Sequence, residues 1–169
     1  MRPLLFLDVD GVLNPDPPGP PDGYTIHHMR PAGYDGKHDK PLHVRLNRAH
    51  GALLQALPYD LVWATSWGAD ANTWIGPHLD LPELPVVSFP PSLGRTVRAD
   101  RLWISYKTAT LTAYAAGRPF AWVDDEITPL DNRWVREHRQ TPALLHWVPP
   151  HTGLTDADFA TLTEWAKSL

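Results

Sequence analysis

The chain has 169 residues, 43% of them apolar, enough for one folded domain with its own core. Its 15 Lys and Arg against 19 Asp and Glu give a net charge of −4, which argues against an overall basic nucleic-acid binder. The absence of Cys excludes disulfides, thiol catalysis and Cys-based zinc sites. No apolar run reaches the length of a membrane span or a signal segment, so a soluble cytoplasmic protein is the expectation.

In chain order, residues 4–9 are a short apolar run ending in acid and predict a buried strand. Residues 14–40 are rich in Pro, Gly, His and Asp without a sustained period. They predict a long ordered loop, a flap or small cap inserted at about 15–41. The spacing of Leu46, Leu53, Leu54 and Leu57 predicts a helix over 44–57, ended by Pro58. Residues 61–64 predict a second strand running into Thr65-Ser66-Trp67-Gly68, then a short helix over 69–75. A third strand is predicted at 85–89, followed by an irregular, locally basic stretch over 90–105. Residues 107–116 predict a helix closed by Gly117, and 120–123 a fourth strand ending in Asp124-Asp125. Thr128, Pro129 and Asp131 read as the capped start of a helix reaching about 138. Residues 143–148 predict a fifth strand, and Thr155 with Asp158 caps a last helix bearing Phe159, Leu162, Trp165 and Leu169 on one face.

Strand and helix thus alternate. The pattern predicts one α/β domain over 1–169: a doubly wound, mainly parallel five-stranded sheet with helices on both faces. Such sheets bind ligands beyond the carboxyl ends of their strands, where the polar motifs of this chain fall.

The first motif is Asp8-Val9-Asp10-Gly11, trailed by Asn14. Two carboxylates two residues apart at a strand end can hold a hard cation or divide the work of nucleophile and proton carrier. Gly11 lets the backbone turn sharply and approach a ligand. Asp8, Asp10 and Asp124 converging without a cation would repel one another, so the set itself predicts a bound metal.

In order, the chain carries an apolar strand ending in Asp8-Val9-Asp10-Gly11, a second ending at Thr65, then Lys107, then the pair Asp124-Asp125. This succession resembles the haloacid dehalogenase (HAD) superfamily and, more loosely, the small HAD domains associated with bacterial RNA-repair proteins. The resemblance implies a phosphatase that works through an aspartyl-phosphate on Asp8, with Asp10 as acid and then base. It implies phosphoryl contacts from Thr65, or alternatively from Ser66, and charge compensation by Lys107. It also implies Mg²⁺ held by Asp8, Asp10 through its backbone carbonyl, Asp124 and Asp125. The substrate would be a phosphomonoester, either a small molecule or a nucleic-acid end. A small cap would leave the site open to bulky substrates.

Plainer readings stand beside these. Thr65 can cap the helix that follows, a Lys before a helix commonly faces solvent, and Asp124-Asp125 can cap a helix as well. The histidines His27, His28, His38 and His43 follow no recognised zinc spacing and fit substrate contact better. Trp63, Trp67, Trp74 and Trp122 read as packing or as a stacking surface. Arg95, Arg98, Arg101 and Lys107 against Asp100 form a local basic stretch suited to an extended anion or to an ordinary charged loop. A catalytically silent or partner-dependent binding domain is the competing function.

Overall fold

Alternation along one strand sets the whole architecture. In β1 (Leu4–Leu7), every residue is buried. Leu5 and Leu7 point into one apolar core, and Leu4 and Phe6 into another on the opposite face of the sheet. A strand buried on both faces reads as an unbroken apolar run, which is why 4–7 lacks a polar side.

The computed structural model describes residues 1–16, 22–31, 40–90, 98–99 and 102–169, with 98–99 and 102–103 described by backbone alone. β2 (Thr25–Met29) and β3 (Leu42–Leu46) form an antiparallel pair; α1 (Ala49–Ala56) and β4 (Asp60–Trp63) follow. Two short helical turns at Ala71–Ile75 and Gly76–Leu79 lead on to a two-residue pair, β5 (Arg98–Ala99) and β6 (Leu102–Trp103). The remaining elements are α2 (Lys107–Tyr114), β7 (Phe120–Asp124), α3 (Pro129–His138), β8 (Ala143–Trp147) and α4 (Asp156–Lys167).

The main sheet has four parallel strands in the order β4-β1-β7-β8. The chain steps from β1 to one side, then crosses to the other, so the carboxyl end of β1 is the point where strand order reverses. One core takes Leu54 of α1, Phe159 and Leu162 of α4, and Met29, Val44 and Leu46 of the β2–β3 hairpin. The other takes Leu111 of α2, Val135 of α3, and Phe120 and Trp122 of β7. Each fully buried large side chain contributes about 1.5–3 kcal/mol relative to exposure, so β1 and β7 fix the strand ends rigidly. α1 packs so closely that a Cβ at Gly51 would overlap the Leu79 carbonyl.

Three expectations are corrected. The third strand, expected at 85–89, is only a bridge, which leaves four strands in the main sheet instead of five: the Trp63 N–H donates to the Pro85 carbonyl and the Val87 N–H to the Trp63 carbonyl, both at 2.9 Å. Pro85 and Pro90 remove donors that a strand would need. The helix expected over 44–57 starts at Ala49, because Leu42–Leu46 is a strand with Val44 and Leu46 facing inward. The expected flap contributes β2 to this hairpin rather than a plain loop. The helices predicted to begin at Lys107, at Thr128 and at Thr155 are observed, the last two with reciprocal capping boxes.

Candidate active site

Two strand ends and one helix start converge. Asp8 follows β1, Asp124 closes β7, and Lys107 opens α2 behind them. Lys107 is 2% exposed, and its ammonium lies 2.7 Å from Asp8 Oδ2 and 2.7 Å from Asp124 Oδ2. Asp8 Oδ1 accepts from the Val9 N–H at 2.8 Å. Asp124 Oδ2 also accepts from Trp122 Nε1 at 3.0 Å, and its Oδ1 accepts from the Glu126 N–H at 2.9 Å. Asp125 completes the group: the three acids each offer a carboxylate oxygen, all within 4.8 Å of one another. Gly11 makes that approach possible. Its φ is +72°, and a Cβ there would collide with the Asp125 carboxyl group.

The electrostatics are unbalanced. Three carboxylates face one ammonium, a formal sum of 1 − 3 = −2. Burial, then the neighbouring Asp124, push the Asp8 carboxyl well above the usual carboxylate range despite Lys107. Burial, then Asp124 and Glu126, raise Asp125 to about 6. Burial opposes the charge of Lys107, but Asp8 and Asp124 outweigh it and hold the ammonium above its ordinary value. A hard divalent cation beside this set would supply the missing charge, and three carboxylate oxygens are the donors it prefers.

Asp10 points elsewhere. Its exposed side chain accepts at Oδ1 from Asn14 Nδ2 (2.8 Å) and at Oδ2 from Trp67 Nε1 (2.9 Å). Its carboxylate is therefore outside the three-acid cluster, which leaves only the backbone carbonyl for the metal contact expected of it. Asp10, Asn14, Ser66, Trp67 and Asp70 line a cleft of about 320 Å³ together with Leu42, His43 and Val44 of β3. Thr65 is buried one residue beyond Ala64, whose N–H pairs with the Leu7 carbonyl at 2.9 Å. The Thr65 hydroxyl accepts from the Trp67 N–H at 3.3 Å, so it caps the turn, while Ser66 is exposed on the cleft wall.

Lys107 is aimed from below. Asp131, at the start of α3, accepts from the Ser105 N–H at 2.7 Å and from the Thr108 hydroxyl, while its other oxygen accepts from the Thr128 N–H at 2.8 Å. One buried carboxylate thus pins the first turn of α2 to the first turn of α3. The sequence marked Asp131 as a capping acid only. Its ties to Ser105 and Thr108 span 26 and 23 residues and leave no local signal. Asn14 and Trp67 stand in the motifs, but nothing in their spacing showed that they flank Asp10.

Of the flap histidines, His43 lines the cleft and sits edge-on to His28 at 4.7 Å, while His27 stacks on His78 at 3.9 Å. His38, Arg95, Asp100 and Arg101 lie outside the described residues, as does the side chain of Arg98. Trp63 and Trp122 are core residues, Trp74 packs against the core, and Trp67 packs there while bonding Asp10.

A parallel α/β sheet with acids gathered at the carboxyl edge of its first strand defines a class in which chemistry sits at strand ends. Within it, the family model described as the HAD domain in Swiss Army Knife RNA repair proteins matches residues 4–159, and the chain belongs to that family. No curated protein and no solved structure matches the chain. HAD domains typically use Mg²⁺, and Asp8, Asp124 and Asp125 can hold such an ion. Among the described residues, no helix is long and apolar enough to cross a membrane.

Proposed function

We propose that this protein is a Mg²⁺-dependent phosphatase that cleaves a phosphomonoester through an aspartyl-phosphate on Asp8. One observation carries the reading: a buried ammonium bonded to both Asp8 and Asp124, with a third acid alongside.

A carboxylate attacks a phosphate poorly because both are anions. Lys107 offsets that repulsion and fixes the Asp8 oxygen that it touches. Bound Mg²⁺, held by Asp8, Asp124, Asp125 and the Asp10 carbonyl, would add charge neutralisation at the phosphoryl group. In the first step an Asp8 oxygen bonds to phosphorus, the ester P–O bond breaks, and the leaving oxygen takes a proton from Asp10. In the second, Asp10 takes a proton from water, whose oxygen bonds to phosphorus as the Asp8–P bond breaks, releasing phosphate. Thr65 or Ser66 hydrogen-bonds the phosphoryl oxygens. The exposure of Ser66 in the cleft supports the one choice, and the position of Thr65 two residues beyond β4 supports the other.

The family description directs the substrate choice toward a phosphorylated RNA end, and the cleft, open beside Asp10, suits such a bulky group. The test is phosphate release from an aryl phosphate, nucleotides, sugar phosphates and 3′- and 5′-phosphorylated RNA and DNA, with Mg²⁺ or a chelator. Metal-dependent release that Asp8→Asn abolishes supports the enzyme. Mg²⁺ binding without release on every substrate assigns a binding or partner-dependent domain instead.

A further inference from the structure

We infer that Trp67 and Asn14 are positioning residues that hold the Asp10 carboxylate ready to hand a proton to the leaving group; this rests on the phosphatase reading above. Asp10 is exposed, so packing alone does not restrict its rotamers. Both of its oxygens are instead fixed by neutral N–H donors from separate segments: Asn14 Nδ2 on Oδ1 and Trp67 Nε1 on Oδ2.

Each donor is itself anchored. The Asn14 side-chain oxygen accepts from the Arg45 N–H at 2.8 Å, and the Asn14 carbonyl accepts from the Gly11 N–H at 2.9 Å. The Trp67 N–H donates to Thr65 Oγ1, and its ring is partly buried against the core. A continuous chain of contacts therefore runs from β3 through Asn14 to Asp10, and a second runs from the end of β4 through Trp67. Only one lone pair on each carboxylate oxygen is used by these bonds, so either oxygen can still carry the travelling proton. Neutral donors fix the direction of the carboxylate without bringing a second charge to the cleft. General acid catalysis needs that aim, because a displaced acid loses much of its effect.

The test uses leaving groups. p-Nitrophenolate departs without a proton, whereas an alkoxide needs one. First-turnover release is measured with Mg²⁺ for p-nitrophenyl phosphate and for an alkyl phosphate, in the wild type, Trp67→Phe, Asn14→Ala and Asp10→Asn. Trp67→Phe keeps an aromatic ring and removes only the donor. Each positioning variant is expected to lose about 10- to 100-fold in the first-turnover rate on the alkyl ester, with KM nearly unchanged and less than about 3-fold lost in the first-turnover rate on the aryl ester. In the Asp10→Asn background Trp67→Phe should add nothing. Equal losses on both esters, a change confined to KM, or full additivity with Asp10→Asn overturn the positioning role while leaving the phosphatase standing. A wild type inactive on both esters and on every nucleotide, sugar phosphate and phosphorylated RNA or DNA end overturns the phosphatase reading, and the positioning role with it. Thermal melts of each variant separate lost fold from lost aim.

Discussion

The two aspartates of one motif live in opposite surroundings. Asp8 is buried and bonded to a buried ammonium, while Asp10, two residues on, is exposed and held by an amide and an indole. The strand geometry produces the contrast: Asp8 still sits against β7, its N–H on the Val123 carbonyl at 3.2 Å, whereas the chain turns at Gly11 and lifts Asp10 to the rim. Burial makes a carboxylate's charge costly and its position fixed. Exposure leaves the charge cheap and the position in need of props. Each setting suits the task proposed for it, a nucleophile that must not move and an acid that must meet solvent.

The sharpest break of this contrast is Asp8→Asn. Turnover should fall by at least about 10³-fold with the fold retained, measured as Mg²⁺-dependent phosphate release alongside circular dichroism. Lys107→Met comes next. It strands Asp8 and Asp124 as buried charges without their cation, so urea unfolding should show a loss of about 3–5 kcal/mol. Mg²⁺ should return part of that loss. Gly11→Ala should cost about 1–3 kcal/mol, since it combines a left-handed backbone with a clash against Asp125. Calorimetry on this variant should show weaker Mg²⁺ binding.

A smaller effect concerns pH. The folded protein holds the Asp8 proton more tightly than the unfolded chain, between the ordinary value of 3.8 and about 8. Metal-free stability should therefore decline as pH rises through that window, and Asp8→Asn should flatten the decline. Mg²⁺ should stabilise the protein more at pH 8 than at pH 5, because it binds the ionised acids. Smallest of all, Arg48→Ala breaks the exposed Arg48–Asp80 pair and should leave the melting temperature unchanged.

The buried side of the site was legible because its residues sit at the ends of apolar runs, and a run that stops at an acid announces both strand and function. Asp8, Asp124 and Asp125 stand out that way, whereas Lys107 is marked only by its place in the succession of motifs that resembles the family, and the structure brings all four together. The exposed side was not. β2 and β3 are separated by residues 30–41, so no tight-turn signal joins them, and Leu46 fits a helical spacing as well as a strand's. Residues 85–89 are apolar enough for a strand, yet prolines limit them to one bridge. Donors such as Trp67 Nε1 reach Asp10 across 57 residues, a contact that only the fold creates.

The clasp at Asp131 has an architectural consequence. Lys107 owes part of its aim to bonds that begin at Ser105 and Thr108 and run forward into α3. The starts of α2 and α3 therefore act as one brace, and a change at the head of α3 is felt by the acids through Lys107.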